Sequence, residues 1–288
     1  MTGSVVSLCL LFVVACGMVA GASGDQDALF SQAEAYERFM GRWSRDLAPL
    51  LARFAGVRDG DAVLDVGSGT GALTAAVVDL APSSRIVGID PASPYVALAQ
   101  SRHGSDRVRF EVGDAQQMRF DAATFDRTAS LLVVNFIPDA RKALDEMVRV
   151  TKPGGVVAAA VWDYGEGMEM LRVFWDEAVA LAPAVDAKDE RHMPLCRAGE
   201  LAALWRAAGL EQVAEEGLTI ETRFPSFDDF WSPFLLGQGP AGAYTVSLPD
   251  DQREALRRRL RARLLGTGAD REIVLHARAW AVRGITKR

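Results

Sequence analysis

The sequence predicts an α/β fold: a doubly wound, mostly parallel sheet carrying α-helical cap and lid insertions. Two observations carry this reading. Short apolar runs rich in Val, Ile and Ala alternate with stretches of helical spacing from residue 62 to 163, the rhythm of βαβ crossovers. A glycine-rich turn directly follows the first of these runs, "VLDVGSGTG" at 63–71. The chain has 288 residues, 49% apolar and 24% charged, which suits one large α/β domain with insertions. Its formal net charge of −6 argues against a general nucleic-acid binder.

The elements follow in order. Residues 25–56 read as N-terminal cap helices, with Leu29, Phe30, Ala33, Tyr36, Phe39 and Met40 near helical spacing. The ligand-binding core is expected over 57–163. "AVLDV" (62–66) is a buried strand, "GALTAAVVDLA" a helix, and "RIVGID" (85–90) the second strand. "SPYVALAQSR" is a helix with Ser93 as N-cap and Pro94 in its first position. "VRFEVGD" (108–114) is the third strand, "FDRTASLLVVNF" holds the fourth, and "KPGG" turns into the fifth, "VVAAAVWD". A lid insertion is expected over 164–198. Residues 199–288 return to the sheet: the helix "GELAALWRAAGL", the strand "VAEEGLTIETRF", an aromatic stretch, an Arg-rich amphipathic helix, and the closing strand "EIVLHARAWAVRGI". Two late strands without a standard crossover helix suggest an antiparallel edge.

The glycines define a ligand site. In open α/β sheets ligands lie beyond the carboxyl ends of the strands. A glycine-rich turn there lets backbone approach the ligand and take positive φ, and the helix N-terminus behind it offers free N–H groups. Gly67-x-Gly69-x-x-Ala72 also fits a loose dinucleotide fingerprint, so a nicotinamide dinucleotide protein or a non-catalytic relative stays an alternative. Acids weigh against pyrophosphate. Asp65 stands before the glycines and is expected to face the ligand side, Asp90 ends the second strand, and Asp114 is expected to end the third. Carboxylates on three successive strands suit a ligand with a sulfonium and an ammonium group.

With these residues in view, the chain resembles the class I S-adenosylmethionine-dependent methyltransferases of the small-molecule type. "VLDVGSGTG" resembles the family's first motif, "VGID" its ribose-binding acid, "VGDAQQM" its adenine segment, "FDRTASLLVVNF" its fourth-strand motif, and "KPGG" the turn before its fifth strand. The resemblance covers residues 36–163 closely. It implies a Rossmann-like seven-stranded sheet with the last strand antiparallel, and S-adenosyl-L-methionine as cofactor with S-adenosyl-L-homocysteine as product. By position, it implies that Asp65, Gly67, Ser68, Gly69 and Gly71 hold the methionine end. Asp90 would take both ribose hydroxyls, Pro91 the adenine face, and Asp114 and Ala115 the adenine edge. Leu131 and Leu132 would line the sulfonium, while Tyr36 and Arg42 would close over the cofactor. Arg127 departs from the pattern, standing where such chains carry an apolar strand residue.

Methyl transfer from a sulfonium needs in-line positioning and, for many acceptors, a general base. Asp163, Tyr164 and Asn135 are the candidates, with His192 read as a surface residue. The aromatic stretch Phe224, Phe227, Phe230, Trp231, Phe234 and Tyr244 suggests a small, largely apolar acceptor, or simply a hydrophobic core. "NFIP" after the fourth strand lacks the tetrapeptide of amide-nitrogen methylation, which disfavours nucleic-acid acceptors. No metal set is apparent. Arg253, Arg257 and Arg261 line one helix face, which is a solvated surface or a contact for RNA or acidic lipid. The apolar, uncharged stretch 4–24 reads as a spurious or dispensable extension, an export signal or anchor, or a buried helix. Any membrane contact would run through that stretch, and paired with the Arg-rich helix it would suit a membrane-surface enzyme acting on a lipid quinone. The body, with Cys196 its one cysteine, fits a cytoplasmic compartment.

Overall fold

The computed structural model describes residues 40–288, so the apolar stretch 4–24 and Tyr36 lie outside the described residues. The sheet has seven strands in the order β3-β2-β1-β4-β5-β7-β6. They are β1 (Ala62–Val66), β2 (Arg85–Asp90), β3 (Val108–Val112), β4 (Phe125–Leu131), β5 (Thr151–Trp162), β6 (Glu211–Phe224) and β7 (Ile273–Ile285). The first five run parallel, and β7 is antiparallel to both of its neighbours. This is the Rossmann-like sheet the sequence predicts, with one refinement: β7 lies inside and β6 forms the edge. The side chains explain it. β6 carries Glu215, Glu216, Glu221 and Arg223, charges that suit an edge open to water, whereas Ala277, Ala279, Ala281 and Val282 of β7 are fully buried.

Helix α1 (Arg42–Phe54) buries Trp43, Leu47, Ala48, Leu51 and Ala52. Helices α2 (Ala72–Leu80), α3 (Ser93–His103) and α4 (Ala140–Val150) are the crossovers that cover the parallel strands. Three expected boundaries move. β3 ends at Val112, leaving Asp114 two residues beyond it. Ala92, not Ser93, is the N-cap of α3. "KPGG" lies within β5 as a bulge, because Phe125 pairs with Thr151 while Arg127 pairs with Val156.

The remaining helices are α5 (Glu169–Leu181), α6 (Glu200–Ala207), α7 (Phe227–Trp231), α8 (Gly239–Ser247) and α9 (Asp250–Leu265). Between α5 and α8 the aromatic residues pack on one another. Phe174 stacks on Phe234 with centroids 4.5 Å apart, Trp175 stacks on Tyr244 at 5.7 Å, and Phe230 touches Phe224, Phe227 and Phe234. All are buried, so this stretch is a core under the cap rather than the wall of an open pocket. The Arg-rich helix is also committed within the molecule. Arg259 and Arg263 of α9 pair with Glu177 and Asp176 of α5, and Arg257 pairs with Asp228.

Two adjacent carboxylates lie inside the cap, and Asp189 is paired with Arg172 and Arg191 while Glu190 is not paired with a base among the described residues. Glu190 Oε2 accepts the Trp175 indole N–H and Oε1 accepts the Ala241 N–H at 3.3 Å. Burial pushes this carboxyl up from 4.5 to about 7. A raised acid is held more comfortably when protonated. Its contribution is therefore complete at low pH and lost as pH rises from 4.5 to about 7. The loss is on the order of 3 kcal/mol. Thermal unfolding followed across this range should show a declining midpoint, and Glu190→Gln should flatten the decline; an unchanged slope would remove Glu190 as its source.

Candidate cofactor-binding site

β1 delivers the chain to the loop 67–71, and each glycine there has its own reason. Gly67, Gly69 and Gly71 have φ of +72°, +51° and +93°, the left-handed region that glycine occupies without steric cost. A Cβ on Gly67 would lie 2.5 Å from Val133 Cγ1, so the loop is pressed against the segment leaving β4. A Cβ on Gly71 would lie 2.7 Å from the His103 ring. At Gly69 a Cβ would meet nothing within 4 Å, so its face is turned to open space. The Gly67 and Ser68 amides both donate to Ile89 O, at 2.8 and 2.9 Å, hooking the loop to the end of β2.

Asp90 ends β2 under this loop. Its Oδ2 accepts the Gly69 N–H at 3.0 Å and its Oδ1 the Ala92 N–H at 2.9 Å. Burial raises its carboxyl above the ordinary range, opposed by these two backbone donors. Asp114 is exposed in the turn after β3, where Oδ1 accepts from the backbone and side-chain amides of Gln116. Ala115 beside it is half-buried and Pro91 is exposed. Leu131 and Leu132 are buried at the end of β4, and Leu132 takes φ +63°, a strained value for a branched residue. Ser68 is buried with its hydroxyl unpartnered among the described residues.

Three expectations need correction. Asp65 is not an open carboxylate with both oxygens free for a ligand: it is 1% exposed, and its Oδ2 is taken by the first turn of α2 through Thr74 N (3.1 Å) and Oγ1 (2.7 Å). Its other oxygen, Oδ1, has no donor among the described residues, and burial raises this carboxyl to about 7. An orphaned buried carboxylate oxygen beneath a glycine loop fits a cationic ligand group and does not fit pyrophosphate. Arg42 is not left free to close over a ligand. It pairs with Asp229 of α7 at 2.7 Å and lies over the Trp43 and Phe224 rings, because these groups enclose it on the cap side.

Asp163 is the third. Its Oδ2 receives the Arg278 guanidinium at 2.9 and 2.5 Å, and its Oδ1 receives the Glu166 N–H at 3.0 Å. A carboxylate held this way ties β5 to β7 and is no longer a ready base. Asp163→Ala should lower stability by about 2–3 kcal/mol in denaturant unfolding. A general-base role would instead lower turnover at unchanged stability.

Asn135 and Tyr164 are both buried. Asn135 follows β4 in a short 3₁₀ turn; its Nδ2 lies 3.7 Å from Met193 Sδ, and its Oδ1 has no partner among the described residues. His192 is exposed near Asp186. The roles of Thr74, Val133 and Met193 were not visible in the sequence, because each acts through a contact that only the fold creates. Among the described residues no group of His, Cys, Asp and Glu is placed to hold a metal, and no helix is long and apolar enough to cross a membrane.

Residues 64–159 match the family model described as "Methyltransferase domain". Residues 64–159 are a methyltransferase domain by this match. That domain runs from β1 through most of β5 and contains the whole glycine loop. Among curated proteins, this chain is 37% identical over 119 residues to erythromycin 3''-O-methyltransferase of Saccharopolyspora erythraea, covering 40% of this chain and 39% of that one. It is 35% identical over 97 residues to demethylmenaquinone methyltransferase of Clavibacter sepedonicus, covering 33% and 39%. The matched stretch thus spans less than half of these relatives. The phosphoethanolamine N-methyltransferase 2 of Haemonchus contortus, solved with S-adenosyl-L-methionine, shares the fold of the domain. Its TM-score is 0.54 at 20% identity, over 94% of this chain and 61% of that one. The YcgJ protein of Bacillus subtilis shares it equally, with a TM-score of 0.54 at 20% identity over 84% and 98%.

Proposed function

We propose that the protein transfers the methyl group of S-adenosyl-L-methionine to a small, largely apolar acceptor and releases S-adenosyl-L-homocysteine. The observation that carries this reading is the buried, donor-less Asp65 Oδ1 under the loop. No Lys or Arg stands between Val63 and Asp79 to neutralise a pyrophosphate. The names of the relatives support an apolar acceptor, since they act on erythromycin and demethylmenaquinone.

The bound cofactor would supply a methyl group already activated on sulfur. The chain's task is to hold and orient. Asp65 would accept from the ammonium, and Asp90 would accept from the ribose hydroxyls on the lone pairs that its Gly69 and Ala92 contacts leave free. Asp114 and Ala115 would meet the adenine edge, and Pro91 its face. Leu131 and Leu132 would keep water from the reacting end. Asn135, an amide, cannot serve as a base. Its Oδ1 is placed to accept a hydrogen bond from the acceptor and fix the attack direction.

Calorimetric titration of the full chain with both sulfur ligands, and with NAD as control, tests this. Micromolar binding of the sulfur ligands alone is the expected result, and tighter NAD binding would overturn it. The heats carry a second readout. At pH 6 the Asp65 carboxyl still holds its proton, since its raised value is about 7. An ammonium group placed against it expels that proton. Heats measured in buffers of different ionisation enthalpy should therefore diverge at pH 6 and converge at the same pH in Asp65→Asn. Buffer-independent heats at pH 6 would remove Asp65 from the ammonium contact.

A further inference from the structure

We propose that the foot of the sheet, opposite the glycine loop, is a second binding site that takes a phosphate monoester. The departure at Arg127 points there. A cavity of about 200 Å³ is lined by Arg58, Arg127, Arg283 and Gln212, together with Ala55, Gly56, Val156 and Ile285, and no carboxylate lines it. A second cavity of about 410 Å³ shares Gln212 and Ile285 with the first and adds Lys287 and Arg288, with Glu211 as its acid. In a chain of net charge −6 this is a marked local excess of positive charge.

Strand pairing builds the cluster. Arg127 pairs with Val156, Val156 with Ile285, and Ile285 with Glu211, a row across four strands at the N-terminal end of the parallel sheet. On the other side Arg127 pairs with Val63. Gly67 is four residues further along, about 13 Å at ~3.3 Å per residue, so this site and the loop are separate.

The arginines have a structural duty as well. Arg127 donates to Gly56 O at 3.1 Å and Asp126 O at 2.8 Å, and Arg283 donates to Phe54 O at 2.9 Å, holding the end of α1. That duty does not use the whole cluster. Two carboxylates, Asp61 at 3.4 Å from Arg127 and Asp126, which Lys152 also holds, stand against three guanidinium groups. The Arg58 guanidinium has no hydrogen bond or ion pair among the described residues; Asp61 engages only its backbone N–H. Gln212 adds an independent sign. It takes φ +48° in a bulge where Gln212 and Val213 together oppose Gly284. Non-glycine residues keep such a conformation where the surroundings impose it, commonly at ligand sites. Forked guanidinium groups with a neutral amide beside them match the oxygens of one phosphate, and the cavity's size suits a short carbon skeleton behind it.

The test is calorimetric titration of the full chain with inorganic phosphate and glycerol phosphate at fixed ionic strength, with citrate as the carboxylate comparison. Saturable binding of both phosphates at millimolar concentration or below is expected. It should persist in Asp90→Ala and weaken at least tenfold in the double variant Arg58→Gln, Arg283→Gln, whose near-UV circular dichroism reports that it is folded. Arg127→Lys, which keeps the charge and removes the fork, should weaken it several-fold. Absence of saturable binding, tighter binding of citrate, loss in Asp90→Ala, or full binding by the folded double variant would each overturn the proposal.

Discussion

Asp90→Ala should weaken binding of S-adenosyl-L-homocysteine by at least about 100-fold. The proposed contact is a carboxylate accepting from two ribose hydroxyls, and a hydrogen bond to a charged group contributes about 1.5–3 kcal/mol. Two of them account for two or more orders of magnitude in Kd. The variant also frees the Gly69 and Ala92 N–H groups that Asp90 now satisfies, so stability should fall by about 1–2 kcal/mol. The two losses are separable by calorimetry on protein that denaturant unfolding has shown to be folded. Asp90→Asn, which keeps one acceptor oxygen, should fall between wild type and Ala. Wild-type affinity in the folded alanine variant would refute the assignment of this carboxylate to the ribose.

The glycine loop gives the second large effect through a contrast between two positions. Gly67→Ala places a methyl carbon 2.5 Å from Val133 Cγ1 on a backbone with φ +72°. The left-handed conformation costs about 1–2 kcal/mol for an L-residue, and forced overpacking adds about 1–3 kcal/mol. Denaturant unfolding should therefore register a loss of about 2–5 kcal/mol, and Val133→Ala in the same chain should return only part of the packing loss, because Val133 Cβ itself would lie 2.9 Å away. Gly69→Ala meets nothing within 4 Å, so it should lose only the conformational part, about 1 kcal/mol. Its effect should appear instead in ligand affinity, because the methyl enters the space that the ligand would fill. If Gly69→Ala bound S-adenosyl-L-homocysteine as tightly as wild type, the open side of the loop would not be the ligand's side.

Much of this architecture was legible in the sequence because it is written locally. "VLDVGSGTG" combines a buried strand, a turn that only glycine accepts readily, and a helix start. Asp90 is recognisable because it ends a strand at the right distance from that turn. The alternation of apolar runs and helical spacing names a parallel sheet before any coordinates are known. The less legible parts depend on partners remote in sequence. Arg278 is 115 residues from Asp163 and turns an apparent base into a brace between β5 and β7. Asp229 is 187 residues from Arg42 and draws it to the cap. Thr74 is near Asp65 in the chain, yet its hold on the carboxylate depends on how β1 meets α2 in three dimensions.

The sequence by itself determined the fold class, the order of the parallel strands' motifs, and the place of the glycine turn between β1 and α2. Those are properties of hydrophobic period, turn chemistry and short spacing. Only the tertiary structure decided which charges are free to act. A carboxylate's chemistry depends on what stands beside it and on whether water reaches it. The same residue type became a helix cap at Asp65, a ribose candidate at Asp90, an exposed turn residue at Asp114 and an ion-pair brace at Asp163. Tertiary structure also placed β7 inside β6 and gathered Arg58, Arg127 and Arg283 at one end of the sheet, since strand pairing joins residues that no local pattern connects.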